Sequence, residues 1–526
     1  MTARIQRRTA AQSLAAGNNR CGHSTPIWAG DQSSVVTSPL YGDADVDVCV
    51  IGAGIAGLTT AYLLSAAGQS VIVVDDGAIG SGQTERTSAH LSNAIDDRYF
   101  EMRRLHGDEA LPIIASSHSA AIDLIEKTCV DKRIECGFER VDGFLFDHPG
   151  TTDSVLPREL DAAHAAGLNG VEWVDRAPIA AFDTGRCLRF PDQAQFHPLL
   201  YLDGLAHAVL VQGGRIHTRT HASSIQARAR PRVVMDTGAA VSARSLVVAT
   251  NSPISNVIAV HTKQSPYLTY VIAVPAPAGI ERALYWDTLE PYHYLRLVRL
   301  PSAPDQEMLL VGGEDRKVGE VHDADETYGR LEAWTSERFA GAGPVSHRWS
   351  GQVLESVDGL AFIGRNPGTD NVYIATGDSG MGLTHGTIAG RIICDLILGQ
   401  SNPWAKLYDP TRVTPSALLK YVRDNVRAAA RYGDWLAPGE VHSVDEVRAN
   451  SGAVLWQGLR KIAAYRDRDG QLHQFSAMCP HAGCLVSWND GEKTWDCPCH
   501  GSRFDCVGRV VQGPANANLQ AVGRED

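Results

Sequence analysis

The chain has 526 residues, of which 44% are hydrophobic and 21% charged, and its formal net charge is −12 at pH 7. That length exceeds one compact core and predicts more than one domain, while the acidic balance argues against a nucleic-acid partner. No apolar run reaches the roughly eighteen residues a membrane span needs, and most of the 11 cysteines are scattered, which predicts a cytoplasmic, largely reduced protein.

Residues 1–43 are polar and rich in small side chains, with Arg7 and Arg8 near the start. No apolar stretch long enough for a signal peptide follows them, so the segment is read as a mobile tail, with a twin-arginine export signal as the alternative. Val46–Ile51 then reads as a buried parallel strand. Gly52-Ala-Gly54-Ile-Ala-Gly57 follows, with helical apolar spacing from Leu58 to Ala67 and a second apolar run, Val71–Val74, ending at Asp75. This strand–turn–helix–strand frame lifts a GxGxxG motif above chance. Gly52 permits the tight turn, Gly54 lets a pyrophosphate approach the backbone, and Gly57 lets helix and strand pack closely. The helix N-terminus faces the phosphate charge. Asp75 is placed to accept from a ribose hydroxyl. The motif predicts dinucleotide binding without naming the dinucleotide.

Downstream, Ser81–Ser88 lies in GSGQTERTSAHL and Leu246–Asn251 forms another apolar strand and turn. Leu268–Val274 and Tyr292–Leu300 read as strands of a mixed sheet. Tyr267, Tyr270, Trp286, Tyr292, His293 and Tyr294 alternate along them and suit either a pocket wall or a core; His261 and Lys263 precede them, and His197 sits in Phe-His-Pro. Late in this region come His347-Arg-Trp-Ser-Gly351, Asp358-Gly359, Ile363-Gly-Arg365, Asn371-Val-Tyr-Ile-Ala-Thr-Gly377 and Gly380-Met-Gly-Leu-Thr-His-Gly386. In their order, these segments resemble the FAD-dependent oxidoreductases of the D-amino-acid oxidase and glycine/sarcosine oxidase superfamily, over roughly residues 44–400. The resemblance implies an α/β FAD-binding domain of Rossmann-like, glutathione-reductase type with an inserted mixed-sheet substrate subdomain within about 140–340. It implies that FAD is held by Gly52, Gly54, Gly57, Asp75, Ser81, Thr87, Ser88, Gly377, Gly380, Met381, Gly382, Leu383 and Thr384. In such a site the helix opening near His385 would point at the flavin and stabilise its reduced charge. Arg348, His385, Tyr292 and Tyr294 are the catalytic candidates. Oxidases of the superfamily often keep a lysine over the flavin; Met308–Gly313 lacks one, with Lys317 just beyond, so a dehydrogenase is expected rather than an oxidase.

Residues 404–439 read as an amphipathic helical connector. Leu418, Leu419, Val422, Val426 and Ala430 form its apolar stripe, which predicts a packed helix, and Pro438-Gly439 closes it. Short alternating strands such as 453–456 and 461–465 predict a small all-β domain over 440–526. Within it, Cys479-Pro-His481 and Cys497-Pro-Cys-His500 stand fifteen residues apart. A structural zinc site usually pairs its cysteines in one knuckle, whereas here each loop supplies one thiolate and one imidazole. That mixture suits a [2Fe–2S] cluster with two thiolates on one iron and two imidazoles on the other.

The run CPHAGC…CPCHGS resembles the Rieske ferredoxin family. The resemblance implies that Cys479, His481, Cys497 and His500 hold the cluster and that Cys484 and Cys499 form a disulfide, a free dithiol being the alternative. It also implies that Ser502 donates to a cluster sulfur, with Gly513-Pro514-Ala515 as a shielding loop. Phe504 replaces a frequent tyrosine, which should lower the potential.

Together these readings predict a flavoprotein that oxidises a C–N bond of a small amine or amino-acid-like substrate. Its electrons would pass singly to its own cluster and then to an external one-electron carrier. The alternative is an electron-transfer component serving a partner enzyme, but only one GxGxxG is present, where reductases usually add a second for NAD(P)H. A Rieske oxygenase would need a mononuclear iron site; His217 and His221 are suitably spaced, but Gly214 stands where its Asp should be.

Overall fold

The computed structural model describes residues 24–31, 33–148, 150–254, 258–319 and 323–522. Among them, one large sheet runs in the order Phe362–Arg365, Val372–Thr376, Ala240–Val248, Ala44–Ile51, Val71–Val74 and Arg215–His217, with Ala222–Gln226 and Arg232–Met235 at its side. The strand Ala44–Ile51 pairs in parallel with both neighbours. Its continuous apolar sequence follows from burial on two faces: Val48 and Val50 join one core, Cys49 and Ile51 another.

The second large sheet is mixed and runs His347–Ser356, Gln264–Pro275, Ala303–Lys317, His293–Leu300, Leu284–Asp287, Glu139–Phe146, Cys187–Gln195 and His90–Leu91, with Glu172–Val174 off this path. Residues of both sheets line one pocket. The expected insert at 140–340 is therefore interleaved: the chain returns to the first sheet at Arg215–His217 and Ala222–Val248 before re-entering the second. At the C-terminal end, the antiparallel sheets Ser451–Gln457, Arg460–Arg466, Leu472–Ser476 and Ser487–Asn489, Thr494–Asp496, Arg503–Asp505, Val510–Gln512 form the small all-β domain.

Two expectations need correction. The mobile tail was expected to reach residue 43, but its described residues, 24–31 and 33–43, are anchored to the flavin domain at several points. Trp28 is fully buried and donates to Thr87 O at 2.8 Å, Leu40 is buried, and Ser33 bonds Asp203 at 2.6 Å; residues 1–23 lie outside the described residues. The connector helix Leu418–Ala430 is amphipathic as predicted, but it faces the other way. Leu419 is 86% and Val426 62% exposed, and no residue of the helix is buried. Its polar side turns inward because the surface it crosses is polar: Lys420 donates to Ser356 O, and Asn425 to Thr262 O at 2.9 Å.

Candidate functional site

An elongated pocket runs from the end of the strand Ala44–Ile51 to the underside of the mixed sheet. At its first end the glycine turn is set by close approach. Gly52 has φ +109°, and a Cβ there would lie 2.3 Å from Ala249 O; a Cβ on Gly57 would lie 1.9 Å from Gly52 O. Gly57 therefore lets the helix sit on the turn and does not itself line the pocket, whereas Gly52 and Gly54 do. The helix Ile55–Ala66 starts without a side-chain cap, which leaves its first N–H groups for an anion; one of them, Ile55 N–H, donates to Thr84 Oγ1 at 3.2 Å. Asp75 lines the pocket and ties the turn together, accepting from Ala53 N at 2.7 Å and Gly77 N at 2.6 Å. These residues fit a dinucleotide.

Ser81, Thr87 and Ser88 line the middle, and Gly380, Met381, Gly382, Leu383 and His385 the far end. Gly377 and Thr384 lie just behind; Thr384 Oγ1 donates to Met381 O at 3.0 Å. His385 Nδ1 donates to Asp378 O at 2.8 Å, which leaves Nε2 as a buried acceptor without a partner among the described residues. Its ring meets His118 at 4.9 Å and Tyr408 at 5.9 Å. Burial, then His118, pushes His385 well below the usual imidazole range, so it is neutral.

The mixed sheet supplies an aromatic wall. His90 meets Tyr294 at 5.3 Å and Trp286 at 6.1 Å, and Tyr292 meets Tyr294 at 5.9 Å; all four line the pocket. Tyr292 OH donates to Asp96 Oδ2 at 3.1 Å. Loss of water pushes the Asp96 carboxyl up to about 6, against the pull of Arg98. Asp96 stands in no sequence motif, and His90, although it lies in the segment GSGQTERTSAHL, carries no spacing that marks it as a pocket residue.

Arg348 is a correction. It sits at the outer end of its strand, pairs with Glu332 and with Asp325 at 3.6 Å, and does not line the pocket. His293 is stacked on Trp334 and held by Asp287 at 2.9 Å. His197 caps the helix Pro198–Val211 and bonds Asp31. Tyr270 is buried against Tyr328 in the outer core. These residues are structural. Lys317 and His261 line a second cavity, shared with Arg427, Arg431 and His500.

In the small domain, two loops repeat one turn. Gly483 N–H donates to Cys479 O and Gly501 N–H to Cys497 O, each at 3.0 Å, with Gly483 at φ +78° and Gly501 at φ +82°. The Cys479 and Cys497 thiols touch and are almost fully buried. The rings of His481 and His500 stand 4.9 Å apart, and both Nδ1 atoms are buried without a partner among the described residues. Two adjacent thiols and two unmet imidazole nitrogens fit a [2Fe–2S] cluster. The sulfurs of Cys484, Cys497 and Cys499 also converge within 4.8 Å, but Cys484 and Cys499 are joined in a disulfide with Cα atoms 6.5 Å apart, so that trio is no metal site. Ser502 Oγ accepts from Ala515 N at 3.0 Å and bonds the Cys479 thiol.

The two regions share one seam. Gln352 lines the pocket and donates from Nε2 to Gly501 O at 2.9 Å. His261 lies 5.1 Å from His481 and 6.3 Å from His500, ring to ring. Arg86 pairs with Glu492 at 2.7 Å, both buried, and Gln83 donates to Gln512 at 2.6 Å. Among the described residues no helix is long and apolar enough to cross a membrane.

The FAD dependent oxidoreductase family, DAO, matches residues 47–396, and the Rieske [2Fe-2S] domain matches residues 437–523. A Bacillus subtilis (strain 168) protein described as a Rieske 2Fe-2S iron-sulfur protein, YhfW, is 29% identical over 489 residues, covering 92% of this chain and 94% of its own. Gamma-glutamylputrescine oxidoreductase of Escherichia coli (strain K12) is 24% identical over 364 residues, covering 68% of this chain and 84% of its own. Among solved structures, glycine oxidase from Geobacillus kaustophilus superposes with a TM-score of 0.60 at 16% identity, covering 70% of this chain and 99% of that one; at that identity the likeness is one of fold.

Proposed function

Because the chain belongs to the FAD dependent oxidoreductase family and carries a Rieske [2Fe-2S] domain, we propose that it dehydrogenates a C–N bond of a small amine or amino-acid-like substrate and relays the electrons, one at a time, through its own cluster to an external carrier. Bound FAD supplies a two-electron acceptor that can release electrons singly, and the cluster supplies a one-electron acceptor. The observation that carries this reading is the position of Gln352, which touches the flavin pocket on one side and the carbonyl next to His500 on the other.

The residues of the pocket favour an amine. Tyr292, Tyr294, Trp286 and His90 offer an aromatic face to a cation, and Asp96, once ionised, offers it a carboxylate. The gamma-glutamylputrescine enzyme is named for an amine-bearing substrate. His385, held neutral, orients through its Asp378 bond and leaves Nε2 as an acceptor. No lysine lines the pocket among the described residues, which supports a dehydrogenase over an oxidase. The cavity beside His500 offers an outside carrier the edge of a cluster ligand.

The test is an anaerobic screen of amines and amino acids for bleaching of the flavin band. The reading expects a cationic amine to bleach it with NADH inert. Reduction by NADH, with every amine inert, would instead make the protein an electron-transfer component.

A further inference from the structure

We propose that the FAD site is built by both domains: residues 510–516 of the Rieske domain, the strand Val510–Gln512 and the loop after it, close over the dinucleotide, so that flavin retention depends on Rieske docking. A Rossmann-like glycine turn usually holds its ligand within its own domain. Here Val510, Val511, Gln512, Gly513, Ala515 and Asn516 line the same pocket as Gly52, Gly54 and Asp75.

Gln512 is only 7% exposed. Its Oε1 accepts from Gln83 Nε2 at 2.6 Å, while its own Nε2 is buried without a partner among the described residues. A side chain fixed at one end, with an unmet donor at the other, is destabilising unless a ligand acceptor meets it. FAD presents such acceptors along its whole length, in the pyrophosphate, ribityl and ring carbonyl oxygens. Across the pocket, Asn251 Nδ2 of the flavin domain is likewise buried and unmet.

Asn516 repeats the pattern at the end near Asp75. Its Nδ2 donates to Ala222 O at 2.8 Å and Ser223 O at 3.0 Å, and its Oδ1 has no partner among the described residues. Its carbonyl lies 3.3 Å from His221 Nε2, whose other nitrogen faces Asp76 at 3.4 Å. Between these two points Gly513 rests on the flavin domain: a Cβ there would lie 3.0 Å from Ser252 O and 3.2 Å from Ile254 Cγ2. The segment is thus anchored to the flavin domain at both ends, on the Gln83 side chain and on the backbone of Ala222 and Ser223, with Gln512 Nε2 and Asn516 Oδ1 left unmet among the described residues.

Reciprocity follows: if docking tightens FAD binding, FAD must tighten docking by the same factor. The test uses the full chain, deflavinated and then titrated with FAD, with the cluster EPR signal recorded for every variant. Gln512→Ala and Asn516→Ala should each weaken FAD binding about 5-fold, the equivalent of about 1 kcal/mol. Gly491→Val is the remote wedge. A Cβ at 491 would lie 2.5 Å from the Ala324 Cβ, and Gly491 does not line the pocket. It should weaken FAD binding by at least about 5-fold while the cluster signal persists. FAD affinities within twofold of wild type in all three variants would overturn the proposal. So would FAD loss confined to variants that also lose the cluster signal, because general unfolding would then explain it.

Discussion

Replacing Glu492 by Ala is the sharpest single perturbation of the docked arrangement. The carboxylate sits on the Rieske side of the seam and meets Arg86 of the flavin domain at 2.7 Å, with side-chain exposures of 3% and 0%. It also accepts from Ser24 and Ser350 hydroxyls, each at 2.5 Å. Burial opposes its charge, but Arg86, then Arg503, and these hydroxyls outweigh burial and hold the carboxyl at about 2 against an ordinary 4.5. At 1.36 kcal/mol per pH unit that difference is worth about 3 kcal/mol. Removing one partner of a buried pair also strands the other, at about 3–5 kcal/mol. Glu492→Ala should therefore lose about 3–5 kcal/mol in urea unfolding at pH 7, followed in parallel by flavin fluorescence and cluster absorbance. The sign with pH is fixed: a depressed carboxyl stabilises fully above 4.5, and that contribution is lost as pH falls from 4.5 through 2. The stability difference between wild type and Glu492→Gln should shrink over this window. A loss below about 1 kcal/mol for Glu492→Ala, or a difference independent of pH there, would mean that the Arg86–Glu492 pair does not hold the two domains together.

Asp96→Asn should raise KM for a cationic amine about 10- to 100-fold, the worth of a hydrogen bond to a charged group. In wild type, the apparent affinity should fall as pH drops through about 6, where Asp96 takes up its proton, and the variant should lose that dependence. Cys497→Ser should abolish the cluster EPR signal yet leave the flavin reducible by substrate; reoxidation by a one-electron acceptor protein should then slow at least about tenfold. Cys484→Ser should weaken the Rieske domain by about 3 kcal/mol, the figure for a loop of this length, read as earlier loss of cluster absorbance on heating.

The two halves of the chain were legible for different reasons. The glycine turn and cluster loops announce themselves because their chemistry needs particular residue types at short spacing: Gly57 touches Gly52 within one turn, and Cys479 and His481 share one loop. The aromatics at 286, 292 and 294 were legible as strand residues, but whether each faced pocket or core depended on register. Tyr292 and Tyr294 reach the pocket while His293, between them, points into the outer core. Arg348 was misplaced because proximity in a motif says nothing about which end of a strand meets the cofactor. The connector helix was read with the right periodicity and the wrong direction, since a stripe does not reveal that its neighbour is polar. The contacts of Gln83, Gln352, Gln512 and Asn516 join segments separated by 149 to 429 residues, and no local pattern encodes them.

In the proposed function electrons pass from flavin to cluster inside one molecule. Its most direct measurement is rapid-mixing reduction with substrate under anaerobic conditions, with flavin absorbance and the freeze-quenched cluster EPR signal followed together over a roughly tenfold range of protein concentration. With transfer inside one molecule, the cluster signal should rise after flavin bleaching, with a first-order rate independent of concentration. A cluster that stays oxidised beside fully reduced flavin, or a rate that climbs in proportion to concentration, would contradict it.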